Sequence, residues 1–286
     1  MWSEAAAILS AMGWAGDSVL VRLGARKSNV AAAAFLSYCV STVCLWSYLW
    51  IYFPIERLWS GATVYFILSG CLQPLFARIL YYEGINRLGA SRAGPLRGVE
   101  PLVSTILAVA FLRERPTLSV YGGTILIVVS VWLISARESG ERNWRLFDVI
   151  FPFGAAFVAA VSQNLRKGGL LILPDPFVGA AISTSTSLII FSAFLLATRR
   201  AGLLNVRRES LPFFGSAALI SATAQVLNFT ALTGGEVSVM VPLVNTTPLF
   251  TVLFSSLFLR SVETVTFRVT LGALLMVTGV IIITGR

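Results

Sequence analysis

Apolar runs of about 20 residues, the length that crosses a hydrocarbon core, recur along the whole chain. Short stretches rich in charge, Gly and Pro separate them. They predict ten helices: Ala5–Leu23, Ala31–Phe53, Ala62–Tyr82, Ala90–Leu112, Leu118–Ser135, Phe147–Leu165, Val178–Leu196, Phe213–Leu232, Val237–Leu259 and Phe267–Thr284. The longest charged stretch, ARESGERNW, lies between the fifth and sixth runs. It divides the chain into residues 1–138, a linker at 139–146, and residues 147–286. The expected fold is an all-α integral membrane protein.

The two halves read alike. LRGVEPLVSTILAVAFLRERPT (Leu96–Thr117) aligns without gaps with LVNTTPLFTVLFSSLFLRSVET (Leu243–Thr264). Pro101, Phe111, Leu112 and Arg113 recur as Pro248, Phe258, Leu259 and Arg260. Upstream, in the same register, Pro95 recurs as Pro242; SVLVRLG (Ser18–Gly24) resembles SQNLRKG (Ser162–Gly168). A unit of five spans is odd, so the second copy enters the membrane from the opposite face. The expectation is ten transmembrane helices arranged as two inverted five-helix repeats around a central cavity. In that plan a substrate sits near the midplane, between the copies.

Composition narrows the function. The chain is 56% hydrophobic and only 12% charged, where soluble domains carry about 25% charge. The net charge of +9 sits between apolar runs in no contiguous patch, so no nucleic-acid partner is expected. Those residues read as topology signals, which favour the cytoplasmic side. Arg22 and Arg166, and likewise Arg113 and Arg260, fall on opposite faces and cancel. Arg26, Lys27, Arg87, Arg137, Arg142, Arg145, Arg199, Arg200, Arg207, Arg208 and Arg268 then lie on one face, against Arg57, Arg115, Lys167 and Arg286 on the other. That bias puts both termini outside. There is no histidine, and Cys39, Cys44 and Cys71 all lie in apolar runs without metal or disulfide spacing. No metal or cofactor is expected and the chain does not read as an enzyme. An intramembrane enzyme would be left with Ser/Lys or carboxylate chemistry. The start, MWSEAAAILS, lacks a basic leader and reads as a first span.

Charges within the spans are the candidates for function. A charge at mid-bilayer costs about 2.5–3.5 kcal/mol on insertion scales, so it faces the bundle interior or a wet cavity. Arg97 and Glu100 share a face of the fourth helix, beside Pro95 and Pro101, which remove helix hydrogen bonds. Irregular backbone at membrane depth is tolerated only against protein or a water-filled cavity. Arg78, Tyr81 and Tyr82 lie on the third helix, Trp14 and Asp17 on the first, Gln163 and Asn164 on the sixth, Asn228 on the eighth and Asn245 on the ninth. All eleven are candidate substrate-binding residues. Several have a plainer reading: Arg97 and Glu100 as a self-contained pair, Asp17 as partner of Arg22 or Arg78, and Gln163, Asn164 and Asn245 as ties between helices.

The duplicated five-span unit, with Pro-Leu…Phe-Leu-Arg-Glu in its fourth helix and a Gly-containing apolar fifth, resembles the EamA-type drug/metabolite transporters over essentially the whole chain. Ser261 departs from the pattern, standing where Glu114 stands in the first copy. The resemblance implies a ten-helix basket whose first, third, fourth, sixth, eighth and ninth helices line the cavity, the fifth and tenth packing outside. It implies a multi-pass protein of a bacterial inner membrane, exporting amino acids or other small metabolites. Family members more often keep both termini inside, against the charge bias. The residues themselves offer guanidinium and carboxylate groups with aromatic rings, which suits a zwitterion or an anion. The reading is a secondary transporter of a small polar metabolite, an amino acid or another zwitterionic or anionic compound, working by alternating access within membrane lipid, with protons as a possible coupling ion on Asp17 or Glu100. The alternative is a flippase for a lipid-linked, phosphate-bearing headgroup.

Overall fold

The protein is described by a computed structural model covering residues 2–25, 28–52, 60–88, 90–135, 145–199, 201–258 and 267–285. Among these residues the fold is all-helical, with no strand. The first half contains α1 (Trp2–Gly24), α2 (Val30–Tyr52), α3 (Gly61–Cys71), α4 (Ala77–Leu88), α5 (Ala90–Arg97), α6 (Glu100–Phe111) and α7 (Leu118–Ser135). The second contains α8 (Ile150–Ile172), α9 (Pro176–Ala197), α10 (Leu211–Gly234), α11 (Val237–Val244), α12 (Thr247–Phe258) and α13 (Phe267–Thr284). Seven helical segments among them are long and apolar enough to cross a membrane. Large side chains such as Trp50 (77% exposed) and Leu118 (89%) coat the outside, a surface that calls for lipid rather than water.

Three expected spans are interrupted, and proline accounts for each break. The third carries a π-turn at Leu72–Phe76, where Gln73 has extended backbone (φ −134°, ψ 134°). Pro74 follows, and a residue before proline is driven out of the helical region. The fourth breaks at Gly98–Val99, ahead of Pro101, and the ninth at Asn245–Thr246, ahead of Pro248. The sixth helix differs from expectation in length. Instead of ending at Leu165 it runs to Ile172, and the next begins behind an Asp175 cap that accepts from the Phe177 and Val178 amides. Arg166 and Lys167 therefore lie within the helix and not in a loop. The 139–146 linker falls almost wholly outside the described residues.

The halves interlock. α1 packs on α10, and α8 on α3 and α4; α2 packs on α10, and α9 on α3; α1 packs on α11 and α12, and α8 on α5 and α6. Small residues let these backbones approach, as is usual where lipid removes the hydrophobic drive between helices. On α1 the buried stripe is Ala7, Ser10, Ala11 and Ala15, and the Ser10 hydroxyl donates to the Ala224 carbonyl of α10 at 2.8 Å. Between α3 and α9, Ser183 donates to the Phe66 carbonyl (3.0 Å) and Ser187 to the Gly70 carbonyl (2.9 Å). α7 and α13 meet at Gly123 and Gly279: a Cβ on Gly123 would stand 2.8 Å from the Gly279 carbonyl oxygen.

Adjacent glycines on α7 test this packing. Gly122 has nothing within 4 Å of its would-be Cβ. Gly122→Ala is expected to hold or raise the melting temperature, through a helix propensity gain of up to about 1 kcal/mol. Gly123→Ala is expected to lower stability by about 1–3 kcal/mol, as overpacking does. Thermal unfolding of both variants in detergent checks the pair.

Candidate functional site

The helix breaks meet in one place. A deep chamber of about 250 Å³ is walled by Trp14 of α1, Tyr38 and Ser41 of α2, Gln73, Arg78, Arg97, Glu100, Gln163, Arg166, Thr184, Gln225, Asn228, Asn245 and Thr247. It leads into a more open vestibule of about 540 Å³ that adds Ser18, Tyr81, Tyr82, Gly94, Val131, Ile134 and Thr251. Gln73, Arg78, Arg97, Glu100, Asn245 and Thr247 line both and form the neck. Each interruption contributes to that neck. Gln73 is the extended residue of the first, Arg97 and Glu100 flank the second, and Asn245 lies in the third.

Nine of the eleven sequence candidates line this space: Trp14, Arg78, Tyr81, Tyr82, Arg97, Glu100, Gln163, Asn228 and Asn245. Two do not. Asn164 points at α6, its amide donating to the Ser104 carbonyl (3.2 Å) and hydroxyl (3.3 Å) and to the Ala160 carbonyl (2.9 Å). It ties α8 to α6, the plainer of its two readings. Asp17 lines neither space but is close enough to Arg78 to couple with it electrostatically. Arg97 and Glu100 form an ion pair with each other, their side chains 22% and 5% exposed. The wall also draws on α2 and α9, and the vestibule on α7 through Val131 and Ile134. The cavity is thus lined more broadly than the family resemblance implied.

Arg166 is the charged residue of the chamber wall that sequence reasoning missed. It is 3% exposed, and its guanidinium carbon sits 5.1 Å from the centre of the Phe229 ring, within cation–π range. Its neighbour Lys167 points elsewhere, donating to the Leu232 (2.8 Å) and Gly235 (2.9 Å) carbonyls at the end of α10. The signal that could have found Arg166 is GGLLIL (Gly168–Leu173), which continues the apolar run past the charges to the Asp175–Pro176 helix start.

Beyond the deep chamber, a second cluster joins helix ends. Arg113 adopts a left-handed conformation (φ 57°), uncommon for a non-glycine residue. The turn it makes aims Glu114 at the start of α11, where the carboxylate accepts from the Val237 (2.7 Å) and Ser238 (3.0 Å) amides. A carboxylate there satisfies amides that lack helical partners. The Leu-Arg-Glu of the fourth helix thus turns the chain and staples the start of the ninth. Ser261, its counterpart, lies outside the described residues.

Opposing charges at the neck predict a stability signature. Glu100→Gln is expected to destabilise the protein by up to about 3 kcal/mol, because breaking a buried pair strands its partner. The double variant Arg97→Leu/Glu100→Leu should recover most of that loss. Melting temperatures of the three proteins in detergent check the order.

A family profile described as the EamA-like transporter family fits residues 1–136 and again residues 146–285. A protein of known crystal structure superposes with a TM-score of 0.78 over 99% of this chain and 96% of its own, at 10% sequence identity. At that identity the likeness shows the fold alone. No curated protein matches the chain in sequence.

Proposed function

The chain belongs to the EamA-like transporter family and is a multi-pass membrane protein; from that premise we propose that it is a secondary transporter. It carries a small polar metabolite, an amino acid or another zwitterionic or anionic compound, outward by alternating access. The observation that carries this reading is the neck. A polar chamber in an apolar bundle, lined by Arg78, Arg97, Glu100 and Arg166, opens through the vestibule toward one face and is stapled at the other by Glu114 and Lys167. Such a site presents a substrate to one side at a time.

In this reading ten helices form two inverted five-helix copies, residues 1–138 and 147–286. Support comes from the double fit of the family profile, from breaks placed alike before Pro101 and Pro248, and from helix contacts that recur with the halves exchanged. Arg22 and Arg166 then occupy equivalent positions at opposite depths. Arg22 is exposed and Arg166 buried, as expected when one face is open and the other shut. The charge bias puts the open face in the cytoplasm and the termini outside. Lys167 corresponds to Leu23 and Glu114 to Ser261, so the two staples belong to one face only. In this reading Glu100 or Asp17 carries the coupling proton.

A second reading has one observation behind it. An apolar cleft of about 300 Å³, lined by Ala34, Phe191, Phe194, Leu195 and Leu203, meets the polar chamber at Tyr38, Arg78 and Tyr82. A lipid-linked substrate with an acidic headgroup would use both spaces, which is the flippase alternative.

Efflux and counterflow in proteoliposomes test the first reading, with Arg97→Ala and Asp17→Asn as variants. Arg97→Ala is expected to lower transport at least tenfold. Unchanged transport of every substrate by both variants contradicts the assignment. Headgroup scrambling by vesicles that move no soluble metabolite favours the flippase. The staple is tested by Ser238→Cys, a buried position. Adding Glu114→Ala is expected to raise its reaction rate with a membrane-impermeant maleimide about tenfold, since losing a helix cap of about 1–2 kcal/mol exposes the α11 start more often.

A further inference from the structure

We propose that Arg166 is the seat for an acidic group, carboxylate or phosphate, and that the molecule it takes is a net-negative organic anion carrying a hydroxyl or amine donor. Calling that molecule the transported substrate rests on the transporter reading above; the seat itself rests on geometry.

Arg166 is almost fully buried, yet among the described residues nothing accepts a hydrogen bond from its Nε. No described carboxylate forms an ion pair with it: Glu100, near enough to couple with it electrostatically, is paired with Arg97. Phe229 covers the guanidinium, and a ring face attracts a cation without neutralising it. A buried, unpaired charge is among the most costly features a protein can carry. The cost is intelligible where the charge lines a chamber that receives an anion. A guanidinium keeps its charge at any working pH, so it cannot escape by losing a proton.

The rest of the wall points the same way. The charged groups of the deep chamber are three guanidiniums, Arg78, Arg97 and Arg166, and one carboxylate, Glu100. Glu100 is already held by Arg97. Arg78 likewise makes no ion pair among the described residues; Asp17, which does not line the chamber, couples with it electrostatically. The chamber therefore carries surplus positive charge. A zwitterion leaves that surplus in place, and an anion cancels it.

Two amides refine the class. Gln163 stands one helical turn before Arg166, and Asn228 adjoins Phe229. The side-chain carbonyl oxygens of both are buried without a donor among the described residues. Whichever way each amide is turned, it offers a hydrogen-bonding edge beside the guanidinium fork. The fork suits two acid oxygens held side by side. The amides suit a donor on the next carbon. Hydroxy acids and hydroxylated phosphate esters have that layout.

The experiment is equilibrium binding to the detergent-purified full chain, read by thermal shift and titration. The probes are L-malate, glycerol 3-phosphate, L-alanine and the neutral diamide malamide. Malate or glycerol 3-phosphate is expected to raise the melting temperature by mass action, with alanine weaker and malamide without effect. Arg166→Met is expected to melt higher than the parent without ligand, because a stranded charge is gone. It should bind the anion at least tenfold more weakly, with Arg166→Lys in between. A structural arginine predicts the opposite: a lower melting temperature for Arg166→Met and an unchanged anion response. That result, equal stabilisation by malamide, or no response of the parent to either anion overturns the proposal. Arg166-dependent binding without movement of the anion in proteoliposomes leaves the seat standing and removes the transporter reading. Transport of the anion by Arg166→Met at the parent's KM does the reverse.

Discussion

A charge placed inside a membrane-spanning bundle must be matched by another charge, a helix end or water. That constraint organises the structure. Arg97 and Glu100 answer it by pairing with each other. Lys167 and Glu114 answer it at helix ends, where the amides and carbonyls of a terminus have no helical partners. Arg78 and Arg166 form no ion pair among the described residues, although Asp17 and Glu100 are near enough to couple with them, and they line the same chamber. The function proposed for the protein is the one that leaves those two groups available.

The fold provides the space by breaking helices rather than by spreading them. Small residues bring α1 to within a serine bond of α10, and α7 into backbone contact with α13. Such close packing leaves little room for a chamber between intact helices. Three proline-linked interruptions turn polar side chains and freed backbone inward, and their residues form the neck. In the proposed transport cycle the same breaks are where the bundle would flex, since backbone bonds absent from a break need not be broken for the halves to rock. On the proposed repeat, Lys167 and Glu114 correspond to Leu23 and Ser261, which bring no charge to staple with.

Much of this was legible from the chain alone, for definite physical reasons. Apolar runs report spans because hydrocarbon demands them, and Leu118–Ser135 and Phe267–Thr284 are helical throughout. Prolines report breaks because they delete a donor, so the neck was foreseeable at Arg97, Glu100 and Asn245. What escaped was set by packing between distant segments. Arg166 read as a helix end because a charge pair and two glycines usually mark one, and only the α8–α10 contact reveals Phe229 beneath it. Asn164 and Gln163 are neighbours in sequence, but one faces α6 and the other the chamber. Glu114 read as a motif residue, and its hydrogen bonds to α11 cross more than a hundred residues of chain.

The central claim is that one hydrated chamber communicates with each face in turn. Thr184, buried on the chamber wall and uncharged, is the place to test it. The measurement is the reaction of Thr184→Cys, in a chain freed of Cys39, Cys44 and Cys71, with an impermeant thiol reagent applied to either side of oriented vesicles. The account predicts reaction from both sides, strongly favouring the vestibule side, and protection from both by a bound anion. Reaction from neither side, or from one side alone under every condition that supports transport, would contradict it.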